Sequence, residues 1–305
     1  MEFTVSNSTQ QSSWRNHWRE YRNAYILLAP AVILFFIFVL YPVVSTIYFS
    51  LFDYGLTDPN LEFIGLQNFQ ELLEDDIFWR SIGNNLIIMV GSVVLQVGGG
   101  TILAVVLSRG IKFGKTLFRT INFAPVVMSA VAVGILWQLI YDPSVGVLNQ
   151  FLKAVNIQPP VQGWLGDPQL VIFAILAAAT WQYTGYMMVI MLAGVQSISE
   201  TLYEASSLDG ANEWQNFLYI TLPGIRNVML AATLITMIGS VKVFDIVFVL
   251  TRGGPANASQ VMGTYLYYNA FTVNRAGYAS AIGVILLLFA VVLGLLQLTL
   301  SRRST

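Results

Sequence analysis

Residues 201–228 read TLYEASSLDGANEWQNFLYITLPGIRNV, a polar stretch set between two long apolar runs. Thr201-Leu-Tyr-Glu204 has the spacing of a capping box, in which a hydroxyl and a carboxylate satisfy each other's end of a helix start. Asp209-Gly210 stops that helix, because glycine alone takes a left-handed turn without strain. A second turn-rich segment follows, and Leu222-Pro223 leads into the next apolar run. The inner loop 197–224 lacks basic residues and is long enough for two short helices. A plain connector would be shorter, so this loop is built to be touched.

Outward from it, six apolar runs divide the chain: Ala24–Ser50, Gly83–Ser108, Ile121–Tyr141, Leu170–Gln196, Arg226–Leu250 and Tyr278–Leu300. Each reaches the roughly 20 residues a helix needs to cross the hydrocarbon core. None alternates with period 2, and in lipid a backbone must satisfy its own hydrogen bonds, so all six are expected as helices. Pro30 and Pro42 fall in the first run and are expected to bend it. The predicted fold is an all-α membrane protein with six transmembrane helices. Its parts are an N-terminal tail (1–23), a first helix with its outer loop (24–82), a five-helix core (83–300) carrying the loop 197–224, and a C-terminal tail (301–305).

Composition agrees. Of 305 residues, 56% are hydrophobic and 10% charged, against roughly 25% charged in a soluble domain. So few charges cannot cover a soluble surface. A net charge of −1 gives no basic field for nucleic acid. The absence of cysteine removes disulfides, thiolate catalysis and zinc–thiolate sites. The one histidine, His17, lies in the polar tail, where a solvated side chain is expected. The first apolar run follows Trp14, Arg15, Arg19 and Arg22 and ends without a small-residue cleavage pattern. It reads as a retained span and not as a signal peptide.

Basic residues set the orientation. With the N-terminus cytoplasmic, Arg15, Arg19, Arg22, Arg109, Lys112, Lys115, Arg119, Arg226, Arg302 and Arg303 lie inside or at the inner edge. Arg80, Lys153, Arg252 and Arg275 fall outside, and Lys242 lies in a span. The bias favours both termini on the cytoplasmic side. The acids of the first outer loop, Asp58 among them, agree with this but carry little weight in the rule.

Two glycine motifs are decoys. Gly110-Ile-Lys-Phe-Gly-Lys-Thr116 has three residues between its glycines where a phosphate-binding loop needs four, so no ATP site is expected in this chain. Gly98-Gly-Gly100 has no dinucleotide context and is expected to let two helices approach closely.

Residues 201–228 resemble the cytoplasmic signature loop of binding-protein-dependent ABC importer permeases, E-A-A-x-x-D-G-A followed by a helix and L-P. Glu204, Ala205, Asp209, Gly210, Ala211, Leu222 and Pro223 match, and Ser206 replaces the second alanine, small for small. Gly65-Leu-Gln-Asn-Phe69, Phe118-Arg119 with Pro125, Phe244-Asp245, Val249-Leu-Thr-Arg-Gly-Gly-Pro255 and Gly277-Tyr-Ala-Ser-Ala281 extend the resemblance over nearly all the chain. The V-L-T-x-G-G-P segment is similar to the first-permease type of the carbohydrate group, the maltose- and glycerol-3-phosphate-like importers.

The resemblance implies the type I importer membrane fold, with the first helix wrapping a partner. It also implies a second, different permease, two ATPase subunits, an extracytoplasmic substrate-binding protein and a sugar or oligosaccharide substrate. A glycerophosphodiester is the alternative solute. The chain itself would be no enzyme and hold no cofactor, ATP and magnesium belonging to the partner ATPase. Glu204 would reach that ATPase; it would equally cap its own helix with Thr201, and both roles can coexist.

Lys242 and Asp245 are the only charges well inside a span. Each costs about 2.5–3.5 kcal/mol at a helix centre, so both should face protein or a wet cavity. Their i,i+3 spacing puts them on one helix face, where they can pair. They read either as part of a polar translocation path, with Thr236, Ser240 and Asn84 or Asn85, or as a structural ion pair. Gln182, Tyr183 and Tyr186, beside Trp181 in the fourth span, suit sugar rings, which offer an apolar face and a hydroxyl edge. Packing or interfacial anchoring is the other reading of such aromatics.

A proton-coupled secondary transporter would show ionisable residues in several spans and an internal repeat. This chain shows neither. A membrane-embedded enzyme would need H-E-x-x-H or paired intramembrane aspartates, and the sequence holds no such set.

Overall fold

A computed structural model of the chain describes residues 14–57, 60–110 and 113–302. The expectations for residues 1–13, Asp58, Lys112 and Arg303 fall outside these. Among the described residues, four helices are long and apolar enough to cross a membrane, or six if each of two bent pairs is one span.

The first span, α1 (Ala24–Phe49), is one helix. It continues a helical run that begins at Trp14, so part of the expected tail is helical: Trp14–Asn23 contains no glycine or proline to stop it. The bend expected from the prolines is a local widening, a π-type turn at Phe36–Leu40 just ahead of Pro42. None of the apolar window of α1 is buried within the chain.

A pair of two-residue strands, β1 (Phe52–Asp53) with β2 (Glu62–Phe63), leads to the short helix α2 (Gln67–Glu74). Asn68 of α2 donates to the carbonyls of Ser50 (2.9 Å) and Phe52 (3.0 Å), fastening α2 to the end of α1. The second span, α3 (Asp76–Gly110), starts before the expected Gly83 because Asp75 caps it. Its Oδ1 accepts from the N–H groups of Ile77 (2.8 Å) and Phe78 (3.2 Å), and its Oδ2 accepts from the hydroxyls of Tyr265 and Tyr278. Burial would raise the Asp75 pKa, but these four donated hydrogen bonds outweigh it and hold the carboxyl below its ordinary 3.8.

The third run is not the straight helix expected over Ile121–Tyr141. It is a pair, α4 (Lys115–Val127) and α5 (Ala130–Ile140), bent by 102°. Met128 is extended, and Ser129 caps α5 by accepting from the Ala132 N–H at 3.2 Å. A short side chain able to replace the helical hydrogen bond lets the chain turn. A short helix, α6 (Val147–Ala154), follows.

Helix α7 (Val171–Gln196) is the axis of the fold: α3, α4, α5, the later α10 (Arg226–Val241) and α11 (Asp245–Thr251) all pack on it. It buries residues on every side, from Val171 and Ile175 to Met188, Met191 and Val195, as a helix enclosed by others must. Glycines let helices approach α7 closely: a Cβ at Gly185 would overlap the Asn122 carbonyl oxygen of α4, and one at Gly100 of α3 would stand 2.7 Å from Met187 Cβ and 2.8 Å from Met188 N. Gly98 faces open space, so only part of the glycine run serves the crossing.

The loop 197–224 holds two helices, α8 (Glu200–Leu208) and α9 (Glu213–Gly224), the second bent by 71° against α10. The expected fifth span, Arg226–Leu250, is interrupted after Val241 and resumes as α11. The chain then turns through residues 252–261, which include a cis Gly254–Pro255 bond, into α12 (Met262–Tyr267). The final helix, α13 (Ala276–Arg302), packs against α10, α12 and the C-terminal part of α1.

Candidate functional site

Where α10 stops and α11 starts, a cavity of about 420 Å³ opens toward α3, α4, α5 and α7. Tyr183 and Tyr186 line it from α7, and Thr236 and Ser240 from α10, with Lys242, Phe244 and Asp245 at the break. Ser92 and Gln96 complete the wall from α3. The Thr236 hydroxyl donates to the Ala232 carbonyl (2.9 Å) and that of Ser240 to the Thr236 carbonyl (2.8 Å). Their protons are thereby committed, and their lone pairs remain to accept.

Lys242 and Asp245 do not share a helix face. Lys242 is the C-terminal cap of α10 and Asp245 the first residue of α11. Each charge thus sits at the helix end whose dipole it complements. No ion pair joins them; among the described residues the one ion pair is Arg275 with Glu71. Both side chains are exposed and line the cavity, so its space takes the place of the expected mutual pairing.

Two expected path residues stand elsewhere. Asn84 donates to the carbonyls of Ala258 and Gln260, both at 2.8 Å, and anchors the 252–261 turn. Gln182 is 2% exposed and lies behind the cavity wall. Its Nε2 donates to the Met128 carbonyl at 3.3 Å, steadying the break between α4 and α5.

At the other end of α7, α8 and α9 form a compact unit. The capping box belongs to Asn212 and Gln215 at the start of α9, and not to Thr201 and Glu204. Helix α8 starts two residues too early for the expected box, with Ser199 at its cap in place of Thr201 and the Ser199 and Thr201 hydroxyls 2.8 Å apart. Asp209 ends α8 and Gly210 turns at φ +80°, as the Asp-Gly pair predicts. Ser206 joins the two helices: its hydroxyl contacts Asn216 Oδ1 at 2.7 Å. Tyr203 lies 3.0 Å from the Thr221 hydroxyl, and its ring carries the Arg109 guanidinium at 3.2 Å. The C-terminal end of α3 is thereby tied to α8. Glu204, Ala205, Asp209, Gly210 and Pro223 are exposed, and Ala211 and Leu222 half-buried. Leu208 (89% exposed) and Trp214 (66%) add large apolar side chains to this face.

A family model described as the binding-protein-dependent transport system inner membrane component matches residues 96–305. The chain belongs to this family. A probable ABC transporter permease of Bacillus subtilis, YurN, is 38% identical over 275 residues, covering 90% of this chain and 94% of that protein. The lactose transport system permease LacF of Rhizobium radiobacter is 34% identical over 298 residues, 97% of this chain and 98% of that one. A chain of a bacterial alginate ABC transporter, solved with an alginate pentasaccharide-bound periplasmic protein, superposes with a TM-score of 0.83 at 26% identity. The match covers 95% of this chain and 97% of that chain. The fold is that of a type I importer permease, and the chain is a permease subunit of a binding-protein-dependent importer.

In this importer permease, several cavity and loop residues escaped sequence reading. Ser92 and Gln96 are spaced i,i+4 in an apolar run, a signal that was present. Ser206 was read only as small, although its hydroxyl links two helices. The contact of Arg109 with Tyr203 spans 94 positions, and no local pattern announces it.

Proposed function

We propose that this permease forms half of the path for a sugar or oligosaccharide, beside a second, different permease. The cavity carries this reading. Two tyrosines and a phenylalanine offer flat apolar faces, while Ser92, Gln96, Thr236 and Ser240 offer hydrogen-bonding edges, the combination a pyranose presents in return. The likeness to lactose and alginate permeases supports it. Lys242 and Asp245 together bring no net charge, which favours a neutral sugar over a glycerophosphodiester.

The proposed assembly adds two ATPase subunits, which would hold ATP and magnesium, and an extracytoplasmic binding protein. Both termini would be cytoplasmic. The exposed Glu204, Ala205, Asp209, Gly210 and Pro223 would dock on the ATPase, with half-buried Ser206, Ala211 and Leu222 holding that face in shape, so that nucleotide-driven motion reaches α3 through Arg109 and Tyr203. The bare face of α1 suits a second permease. Uptake by the reconstituted complex, with its cognate binding protein, tests the reading on labelled oligosaccharides beside a glycerophosphodiester. Transport of the diester alone would overturn the sugar assignment.

A further inference from the structure

The break between α10 and α11 is what turns Lys242 and Asp245 toward the cavity; Gly239-Ser240 just before it loosens the end of α10, but that pair does not partner the carbonyls a break sets free. Val241-Lys-Val-Phe244 contains neither glycine nor proline. An uninterrupted helix would place Lys242 and Asp245 one turn apart on one face. Stopping a helix at this depth leaves carbonyls without partners, and a membrane interior offers no water to satisfy them.

The Ser240 carbonyl accepts a long backbone bond from the Val243 N–H, at 3.4 Å, and one side chain supplies the rest. Asn85 of α3 is fully buried, at 0% exposure. Its Nδ2 donates to the carbonyls of Ser240 (3.0 Å) and Val241 (3.2 Å), at the end of α10. Its Oδ1 accepts from the Met262 N–H (2.8 Å), at the start of α12. A single amide therefore caps one helix end and one helix start, on either side of the segment 242–261. Neighbouring Asn84, pointing about 100° away around α3, holds the returning strand of that segment at Ala258 and Gln260.

We propose that Asn85 is the positioning residue for the charged wall of the cavity: it fixes the break that presents Lys242 and Asp245 to the transported solute. This rests on the cavity being the translocation path, but the geometry can be tested without any solute. The chain has no cysteine, so a single Asp245→Cys gives the one thiol of this sequence, read on this subunit after it is separated from the assembled transporter. Gln96→Cys, on another wall of the same cavity, gives the reference.

A charged, water-soluble methanethiosulfonate should label both thiols. Asn85→Leu should slow labelling at position 245 by about tenfold, the scale of one lost buried hydrogen bond, and leave position 96 unchanged. A general loss of structure would move both positions together. Asn85→Asp keeps the acceptor for Met262 and regains a donor only when protonated. Its ratio of labelling at 245 to labelling at 96 should therefore rise as pH falls, and this variant decides the matter if Asn85→Leu does not assemble. An unchanged ratio in both variants overturns the proposal, as does failure to label position 245 when Asn85 is present. Labelling reads position alone, so its failure and a failure of sugar uptake are separate results.

Discussion

Replacing Gly210 separates a strain inside this chain from a contact outside it. The residue holds φ +80°, and a Cβ built there meets no atom within 4 Å. Alanine therefore brings no clash within the chain; its cost is the left-handed backbone, about 1–2 kcal/mol, or roughly 5- to 30-fold in the population of the observed turn. Asparagine tolerates that backbone, so Gly210→Asn should cost only a small part of this. Tryptophan adds bulk in space that the chain leaves open. If an ATPase surface fills that space, Gly210→Trp should assemble poorly or lose the stimulation of ATP hydrolysis by loaded binding protein, while Gly210→Asn loses less. The assay is ATP hydrolysis by the purified complex with and without loaded binding protein, alongside native mass measurement of assembly. Full stimulation in an assembled Gly210→Trp complex would refute the docking argument, because no folded partner accommodates an indole without a change in contact.

Glu204→Arg reverses a charge on the same exposed face and should likewise abolish stimulation while leaving the permease in the membrane, read by membrane fractionation and ATP hydrolysis. Lys242→Met alone should assemble normally and raise the substrate concentration for half-maximal uptake, because Asp245 faces open cavity space and is not left as a buried orphan; failure to assemble would restore the ion-pair reading. Gly100→Val should lower the thermal unfolding midpoint of the complex by crowding the Met187–Met188 backbone, at about 1–3 kcal/mol, whereas Gly98→Ala should not. The lowered pKa of Asp75 gives a stabilisation fully present above the ordinary 3.8 and lost as pH falls through the folded value. Thermal unfolding should thus be flat in this respect near neutrality and weaken only in acid, and Asp75→Asn should remove that acid dependence.

What the sequence made legible was whatever hydrophobic length and local turn chemistry determine. The four uninterrupted spans follow from apolar length, and the turn at Asp209-Gly210 follows from glycine's freedom at positive φ. What escaped was the interruption of helices by groups far along the chain. Ile121–Tyr141 and Arg226–Leu250 are as apolar as the others, and by length each would cross as one rod. Each is stopped by a position whose carbonyls an amide from a different helix satisfies: Met128 by Gln182, and Ser240 with Val241 by Asn85. Between the amide and the carbonyl lie 54 positions in the first case and 155 in the nearer contact of the second. A window along the sequence cannot join them. Yet each amide announces itself by its cost. A lone Asn or Gln in an apolar run must find partners, and a polar side chain in lipid that lacks a mate on its own helix points to a carbonyl set free on another. Asn84, Asn85 and Gln182, read first as candidate contacts for a solute, are on this argument markers of where neighbouring helices break. On the proposed path, the groups that would face a solute are those the breaks expose, Lys242 and Asp245 among them.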